Sequence, residues 1–360
     1  MVLAHPNLSG GVRVVAIYAE KLKARGHDVT IITRRHRRPT LKQQIKSILK
    51  GRGIIADPNT LPTHLDRTPV TVKTIDECRP ITDSDVPDGD VVIATWWETA
   101  EWVEKLSPAK GAKVYFVQHD ERVMENQPAD RVAATYRMPM RKIAVSKWLM
   151  DMLRDEFHDR DTVLVQCAID PNVFRAPPRG KQATPTVGVM YSLDRFKGCD
   201  ISLAAYELAK KQVPNLKLMA FSAAPVSPNL PLPQGASFEL RPSQQRIAQI
   251  YASCDGWLFG SRSEGFGLPI LEAMACRTPV IATPAGAAPE LLAKGGGILV
   301  KPDDSASMAQ AIVELCSRSD NAWRARSDNA YATVASYTWD DATDLFEAAL
   351  KAAVKETKLL

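Results

Sequence analysis

Residues 261–275, Ser-Arg-Ser-Glu-Gly-Phe-Gly-Leu-Pro-Ile-Leu-Glu-Ala-Met-Ala, predict a glycine-rich loop that opens into a helix. Gly265 and Gly267 let the backbone approach a ligand without Cβ interference. The proline that follows suits the first turn of a helix, whose free N–H groups attract anions. Glu264 and Glu272 stand on either side of this loop. Backbone amides that bind phosphate, together with carboxylates that accept hydrogen bonds from hydroxyls, suit a sugar nucleotide. We expect Glu264 to contact the sugar and Glu272 to contact the ribose.

The length and composition narrow the class of protein. The chain has 360 residues, of which 45% are hydrophobic and 24% charged, so a globular protein of two domains is expected. A net charge of +5 is too mild for a dedicated nucleic-acid binder. Its six cysteines are scattered without a Cys-x-x-Cys pair, which indicates reduced thiols and a cytoplasmic protein. No apolar run reaches the ~18 residues of a membrane span, and no signal peptide is recognisable.

The order of apolar runs predicts the architecture. Strand-like runs alternate with helical patterns almost throughout, which is typical of parallel α/β domains. Residues 2–4 have the character of the last part of a first strand. The polar, proline-rich residues 175–184 predict an interdomain linker. The first α/β series therefore covers residues 1–174, and the second covers residues 185–336.

The signature loop resembles the donor site of retaining GT-B glycosyltransferases, in the large family numbered 4. The match continues through residues 277–283, with Arg277 where the family usually has glycine. Nearly the whole chain is covered, most strongly residues 186–304. This resemblance implies two Rossmann-like domains facing a cleft. It also implies that the final helix, residues 337–360, crosses back onto the first domain.

The resemblance also implies an activity. Members of this family move a sugar from a nucleoside-diphosphate sugar to a hydroxyl of a glycan, glycolipid or related acceptor, with retention of anomeric configuration. We therefore expect a metal-independent hexosyltransferase with no cofactor beyond its donor substrate. Residues 116–121 resemble relatives that build rhamnose-containing surface polysaccharides in bacteria. That similarity points to a deoxysugar donor such as rhamnose, while glucose, mannose and galactose stay open.

Specific residues occupy the positions that the family uses for its site. The residues assigned to catalysis are Lys197, Glu264, His119 and Arg195. Those assigned to donor binding are Gly10, Gly11, Gly265, Phe266, Gly267, Leu268, Glu272 and Arg241. The family carries an arginine where this chain has Ser192, and our hypothesis is that Arg195 supplies the missing charge.

Acceptor-binding residues are expected where first-domain strands end, because α/β sheets place ligands at their carboxyl edge. Trp96 and Trp97 follow one such strand and Asp120 follows another. The two indole rings could stack on an acceptor sugar. Packing of the tryptophans into the core is the alternative interpretation.

Two short acidic motifs imitate the Asp-x-Asp metal site of another glycosyltransferase fold. They are residues 83–85 and 88–90. Both lie in a segment rich in turn residues, where aspartates bond to local backbone. We therefore expect a turn there and predict no metal ligand.

A basic segment suggests a further partner. Residues 34–52 contain no acidic side chain. Within them Leu41, Ile45, Ile48 and Leu49 fall on one face of a helix. Such a helix can rest on anionic lipid, so peripheral contact with the inner face of the cell membrane is one hypothesis. A solvated surface helix is the alternative.

Two other functions stay open at this stage. One is a sugar-nucleotide epimerase of the same fold, against which the paired glutamates weigh. The other is a degenerate sugar-nucleotide-binding protein, which the departures at Ser192 and at Cys167-Ala168 allow. Donor hydrolysis would separate an enzyme from a binding protein. A nicotinamide enzyme is disfavoured, because no Gly-x-Gly-x-x-Gly follows a strand.

Overall fold

Two α/β domains follow each other along the chain. The computed structural model describes residues 1–49 and 53–359. Each domain is built around a parallel sheet with helices between successive strands, as the alternation of apolar runs predicts. The predicted fold class is confirmed.

The first domain contains these elements in chain order: α1 Gly10–Ala24, β1 Thr30–Arg34, α2 Leu41–Leu49, β2 Thr71–Ile75, β3 Val91–Ala94, α3 Trp97–Glu104, β4 Ala112–Val117, α4 Ala129–Thr135, β5 Arg141–Ala144, α5 Lys147–Phe157 and β6 Val163–Leu164. The bounds of β4 agree with the apolar run in the sequence. Helix α1 begins two residues earlier than the apolar periodicity indicates, because the Ser9 hydroxyl accepts from the Val12 N–H at 3.4 Å and caps it.

Val2 joins the two parts of the first sheet. It pairs in parallel with Ile32 of β1 on one side and with Ala94 of β3 on the other. Its N–H donates to the Ile93 carbonyl at 2.8 Å. The strands therefore follow the order β2, β1, the Val2 segment, β3, β4, β5 and β6, and the segment at residues 2–4 is extended as predicted.

The second domain contains these elements in chain order: β7 Thr186–Met190, α6 Cys199–Lys210, β8 Lys217–Ser222, β9 Ser237–Leu240, α7 Gln244–Ala252, β10 Gly256–Phe259, α8 Leu268–Ala275, β11 Val280–Ala282, α9 Ala288–Leu292, β12 Gly297–Leu299, α10 Ser305–Ser317 and α11 Asp320–Val334, after which the final helix, α12 Trp339–Leu359, follows the domain. Its strand order is β12, β11, β10, β7, β8, β9, and every pairing is parallel. The order reverses beside β7, so a crevice forms at the carboxyl ends of β7 and β10.

The last helix, α12, packs on the first domain. Phe346 stacks on Tyr18 of α1 with 4.2 Å between ring centroids, and Trp339 meets the same ring edge-on at 5.5 Å. Arg25 of α1 donates to Glu347 at 3.0 Å. The predicted return of the final helix is confirmed, although Leu360 lies outside the described residues.

The predicted linker, residues 175–184, is attached to the second domain. The Arg179 guanidinium lies over the Trp323 ring, 4.6 Å from its centroid. The Lys181 N–H donates to the Asp320 carboxylate at 2.8 Å. These contacts place the segment along the base of the second sheet.

None of the helices within the described ranges is long and apolar enough to span a membrane.

The ring stack beneath α12 predicts a stability change. Phe346 is fully buried and Leu345 beside it is 48% exposed. We expect Phe346→Ala to lower the free energy of unfolding by about 3–5 kcal/mol, because the cavity left in the core cannot collapse fully. Leu345→Ala should change it by less than about 0.5 kcal/mol. Urea denaturation followed by fluorescence measures both. Equal losses in the two variants would contradict the packing described for α12.

Candidate functional site

The site lies where the carboxyl ends of the two sheets meet. The loop after β7 leads to a short 3-10 helix, Arg195–Lys197, and the loop after β10 leads to α8. From the first domain, the end of β4 and the starts of α1 and α5 face these loops. The segments named by the sequence motifs therefore converge on one cleft between the domains.

The glycine loop contacts the first domain directly. A Cβ on Gly265 would lie 1.6 Å from the Gln118 carbonyl oxygen, so only glycine fits at this point. The Gly265 carbonyl accepts from the Ser146 hydroxyl at 2.6 Å and from the Trp148 indole N–H at 2.9 Å. Ser146 is the N-cap residue of α5, but its hydroxyl makes no capping bond and donates across the cleft.

Lys197 and Glu264 form an ion pair at the centre of the cleft. The lysine Nζ lies 2.9 Å from each carboxylate oxygen of Glu264. The Ser261 hydroxyl donates to Oε1 of the same carboxylate at 2.8 Å. Glu264 is 5% exposed, so its charge is both paired and hydrogen-bonded, as burial requires.

His119 approaches this pair from the end of β4. Its ring meets Phe196, which precedes Lys197, edge-on at 5.5 Å. Nδ1 lies 2.8 Å from the Asp120 carbonyl oxygen, which can only accept, so Nδ1 carries the proton. Burial lowers the pKa of His119, although Glu264 opposes that shift. The ring is therefore neutral, and Nε2 is a buried acceptor with no partner within the described part of the chain.

The second glutamate is held by a residue that the sequence analysis does not identify. Arg13 of α1 donates from Nη2 to Oε1 of Glu272 and from Nη1 to the Gln244 side chain at 2.6 Å. The Tyr251 hydroxyl donates to Oε2 of Glu272 at 2.8 Å. A lone arginine just after a glycine pair is a signal that could have suggested this contact.

The glycine pair Gly10 and Gly11 lies at the start of α1, next to the glycine loop of the second domain. A Cβ on Gly10 would meet the Leu268 side chain at 3.2 Å, and one on Gly11 would meet the Gln118 side chain at 3.5 Å. Phe266 is buried, and its carbonyl accepts from the Ala287 N–H at 2.8 Å. The structure thus brings the starts of α1 and α8 together.

Two predicted cations lie toward the outside of the cleft. Arg195 is exposed, and its carbonyl accepts from the Arg262 side chain at 2.6 Å. Arg241 is also exposed, with a positive φ of 52°. Its Nε donates to the Ala223 carbonyl at 2.9 Å, which fixes the chain after β9.

The predicted acceptor residues differ in how far they face the cleft. Trp97 is 4% exposed, and its indole N–H donates to Gln127 at 2.8 Å, so it packs in the core rather than against an acceptor. Asp120 is buried, and its carboxylate accepts from the Arg122 backbone N–H at 3.2 Å and from that residue's Nε at 2.8 Å, which caps a 3-10 helix. Trp96 is half-buried against the core.

Neighbouring groups support the His119 segment. The Tyr136 hydroxyl donates to the His119 carbonyl at 3.3 Å. Glu121 is buried and accepts from the Trp97 N–H at 2.7 Å. Burial raises the pKa of Glu121 far above its ordinary value. Tyr136 and Glu121 hold the His119 segment in place, and we assign them no catalytic role.

The acidic side chains at residues 83–85 and 88–90 are engaged by neighbouring groups, and Asp88 accepts from Lys110 at 2.7 Å. Asp85 accepts from the Thr82 N–H at 2.8 Å and pairs with Arg79 at 2.6 Å. Asp83 accepts from the Ser107 N–H at 2.8 Å. These bonds agree with the predicted turn. In the ranges that the structure describes, no group of three or more His, Cys, Asp or Glu side chains could hold a metal ion.

Two family models match the chain, one in each domain. The model described as Glycosyltransferase Family 4 matches residues 8–173. The model described as Glycosyl transferases group 1 matches residues 184–318. Together they cover most of both domains and leave the predicted linker between them.

Curated relatives carry related descriptions. A D-inositol 3-phosphate glycosyltransferase of Acidothermus cellulolyticus is 26% identical over 356 residues, which is 85% of this chain and 78% of the relative. A protein of the same description from Mycolicibacterium paratuberculosis is 29% identical over 212 residues, 54% of this chain and 48% of the relative. The chain thus spans about half the length of this second relative in the match.

A solved structure shares the architecture. Anabaena Alr3699/HepE in complex with UDP-glucose superposes with a TM-score of 0.71 at 19% identity, over 98% of each chain. At this identity the likeness establishes the fold alone. The family models, the relatives and this fold show together that the chain belongs to the family 4, group 1 glycosyltransferases with the GT-B fold.

Proposed function

We propose that this protein transfers a sugar from a nucleoside-diphosphate sugar to a hydroxyl of a glycan, glycolipid or related acceptor, with retention of anomeric configuration and without an essential metal. The observation that carries this proposal is the Lys197–Glu264 pair, which lies under His119 and beside the start of α8. A cation, a carboxylate, a neutral imidazole and free helix amides are complementary to the parts of such a donor. The UDP-glucose bound by the Anabaena protein supports this donor class.

Each cleft residue has a role in this proposal. The amides around 265–268 and Lys197 stabilise the negative charge that develops on the leaving diphosphate. Glu264 exchanges its contact with Lys197 for hydroxyls of the donor sugar. The unpartnered Nε2 of His119 accepts a hydrogen bond from a further sugar hydroxyl. This bond would give the buried Nε2 the partner that it lacks among the described residues.

The bond changes follow from this arrangement. The bond between the anomeric carbon and the diphosphate oxygen breaks, and the electron pair stays on the diphosphate. The acceptor oxygen bonds to the same face of the anomeric carbon, and its proton passes to a donor phosphate oxygen. Closure of the domains over the cleft excludes water and limits hydrolysis.

The role of Lys197 can be tested without knowing the acceptor, through the slow hydrolysis of donor sugars. We expect Lys197→Ala to lower the rate of diphosphate release about 10²- to 10³-fold, as the loss of a transition-state charge partner typically does. Lys211→Ala, at the exposed far end of α6, should leave the rate unchanged. Release of UDP, GDP, dTDP or ADP is measured in excess EDTA.

Three outcomes would count against the proposal. A Lys197→Ala rate within twofold of wild type would remove the assigned role. Activity that EDTA abolishes and Mg²⁺ restores would overturn the metal-independent chemistry. Donor binding by the wild type with no hydrolysis and no transfer would favour a degenerate binding protein.

A second proposal concerns where the enzyme works. Helix α2 is bonded through polar side chains to the loop that follows it. Gln44 donates to the Ile55 carbonyl at 2.8 Å and accepts from the Ile55 N–H at 2.9 Å. The Ser47 hydroxyl donates to the Gly53 carbonyl at 2.8 Å. The apolar side chains of the helix therefore point away from the domain.

This outward face has the chemistry of a lipid-binding surface. Its exposed apolar side chains are Leu41, Ile45, Ile48 and Leu49, with 54–81% of their surface accessible. Lys42 and Lys46 flank them, and residues 34–49 contain no acidic side chain. Lys50 and Arg52, which the sequence adds to the basic run, lie outside the described residues. We propose that this face rests on anionic lipid at the cytoplasmic side of the membrane.

Vesicle sedimentation tests the lipid contact. We expect the protein to bind vesicles of phosphatidylglycerol and phosphatidylethanolamine at low salt, and to bind pure phosphatidylcholine vesicles much less. The double change Leu41→Gln with Ile45→Gln should weaken binding at least tenfold, since each residue loses buried apolar area. Leu240→Gln, a comparably exposed leucine in the second domain, is the control. Absence of binding by the wild type would end this proposal.

A further inference from the structure

Arg13 connects the two domains through the carboxylate expected to bind ribose. It lies one turn into α1 and reaches α7 and α8 of the second domain. Its partner Glu272 is 4% exposed. With the Tyr251 hydroxyl on the other oxygen, each carboxylate oxygen of Glu272 already has one protein donor.

Ribose hydroxyls and Arg13 therefore compete for access to the same carboxylate. Each oxygen could accept a second hydrogen bond, but because Glu272 is only 4% exposed we expect a ribose to reach Oε1 by displacing the guanidinium. The arginine side chain is 18% exposed, and its Nε has no partner among the described residues. A largely desolvated guanidinium without an anion is unfavourable, so the displaced group needs a new negative partner.

The donor itself would bring that partner. The start of α1 lies against the start of α8, as the 3.2 Å approach of a Gly10 Cβ to Leu268 shows. Arg13 follows Gly10 by three residues and so projects from the same face of α1. A diphosphate held by the first amides of α8 would lie beside this face. The long Arg13 side chain could reach it by changing its rotamer.

Among the described residues of the family signature, one cation for the donor diphosphate is missing. Ser192 stands where the family signature has an arginine, and its hydroxyl lies 3.2 Å from Asp194. Arg195 is exposed at the rim. Lys197 is the cation paired at the centre of the cleft. A donor diphosphate carries about two negative charges, which one lysine does not balance.

We propose that Arg13 is a donor-binding residue that moves from Glu272 to the donor diphosphate when the ribose binds. This inference rests on the proposed function. In the arrangement described here Arg13 neutralises Glu272 and joins the domains. With a donor bound it would supply the charge missing at position 192. Arg13 thus opposes binding of the ribose portion and favours binding of the diphosphate.

The two opposing effects give the proposal a distinctive test. Affinities for a nucleoside and for its diphosphate are compared in wild type and Arg13→Gln by calorimetry and ligand-observed NMR. The probes are the pairs uridine and UDP, guanosine and GDP, thymidine and dTDP, and adenosine and ADP. We expect the diphosphate to bind at least tenfold more weakly to the variant, because a charge-assisted contact is lost. The nucleoside should bind no more weakly than to wild type.

Two controls separate this role from a structural one. Arg13→Lys keeps a charge and should restore part of the diphosphate affinity, and it provides the test if Arg13→Gln does not fold. Arg25→Gln removes an arginine from the same helix whose ion pair joins α12, and it should leave both affinities unchanged. Equal weakening of nucleoside and diphosphate, or no weakening of the diphosphate, would overturn the assignment. A wild type that binds none of the eight probes would instead contradict the proposed function.

Discussion

Two buried carboxylates constrain the side chains that line the cleft between the domains. Glu264 and Glu272 are 5% and 4% exposed, and a buried charge is tolerated only when it is paired. Lys197 pairs with the first from within the second domain. Arg13 pairs with the second from across the cleft. The second pair therefore joins the two domains, and both pairs lie where a donor is proposed to bind.

The scaffold brings these groups together by simple means. In parallel sheets all strands end at the same edge, so the loops after β7 and β10 face the end of β4. The Gly265 backbone sits against Gln118 because that position has no Cβ. Helix α12 ties the chain end back to α1 through the Tyr18–Phe346 stack. The domains are thus connected by backbone contact at the cleft and by the final helix, which follows the second domain and packs on the first.

Local patterns in the sequence account for much of this architecture. The alternation of apolar runs predicts the parallel sheets, and the 261–275 signature places Glu264 and Glu272 on either side of a glycine loop. Both patterns involve residues close together in the sequence, so they can be recognised without the structure. Arg13 pairs with a residue 259 positions away, and no periodicity encodes that distance. The burial of Trp97 escapes prediction for a similar reason, because an aromatic at a strand end can face either the cleft or the core.

The binding of a nucleoside-diphosphate sugar is the central claim, and a thermal-shift screen tests it most directly. Purified protein is heated with UDP-, GDP-, dTDP- and ADP-sugars, alongside Glu272→Ala. A ligand that binds only the native state must raise the melting temperature. At a ligand concentration a hundredfold above its dissociation constant, the free energy of unfolding increases by about 2.7 kcal/mol. We expect a rise with one nucleotide class that is lost or much reduced in the variant. No rise with any class, or an equal rise in Glu272→Ala, would contradict it.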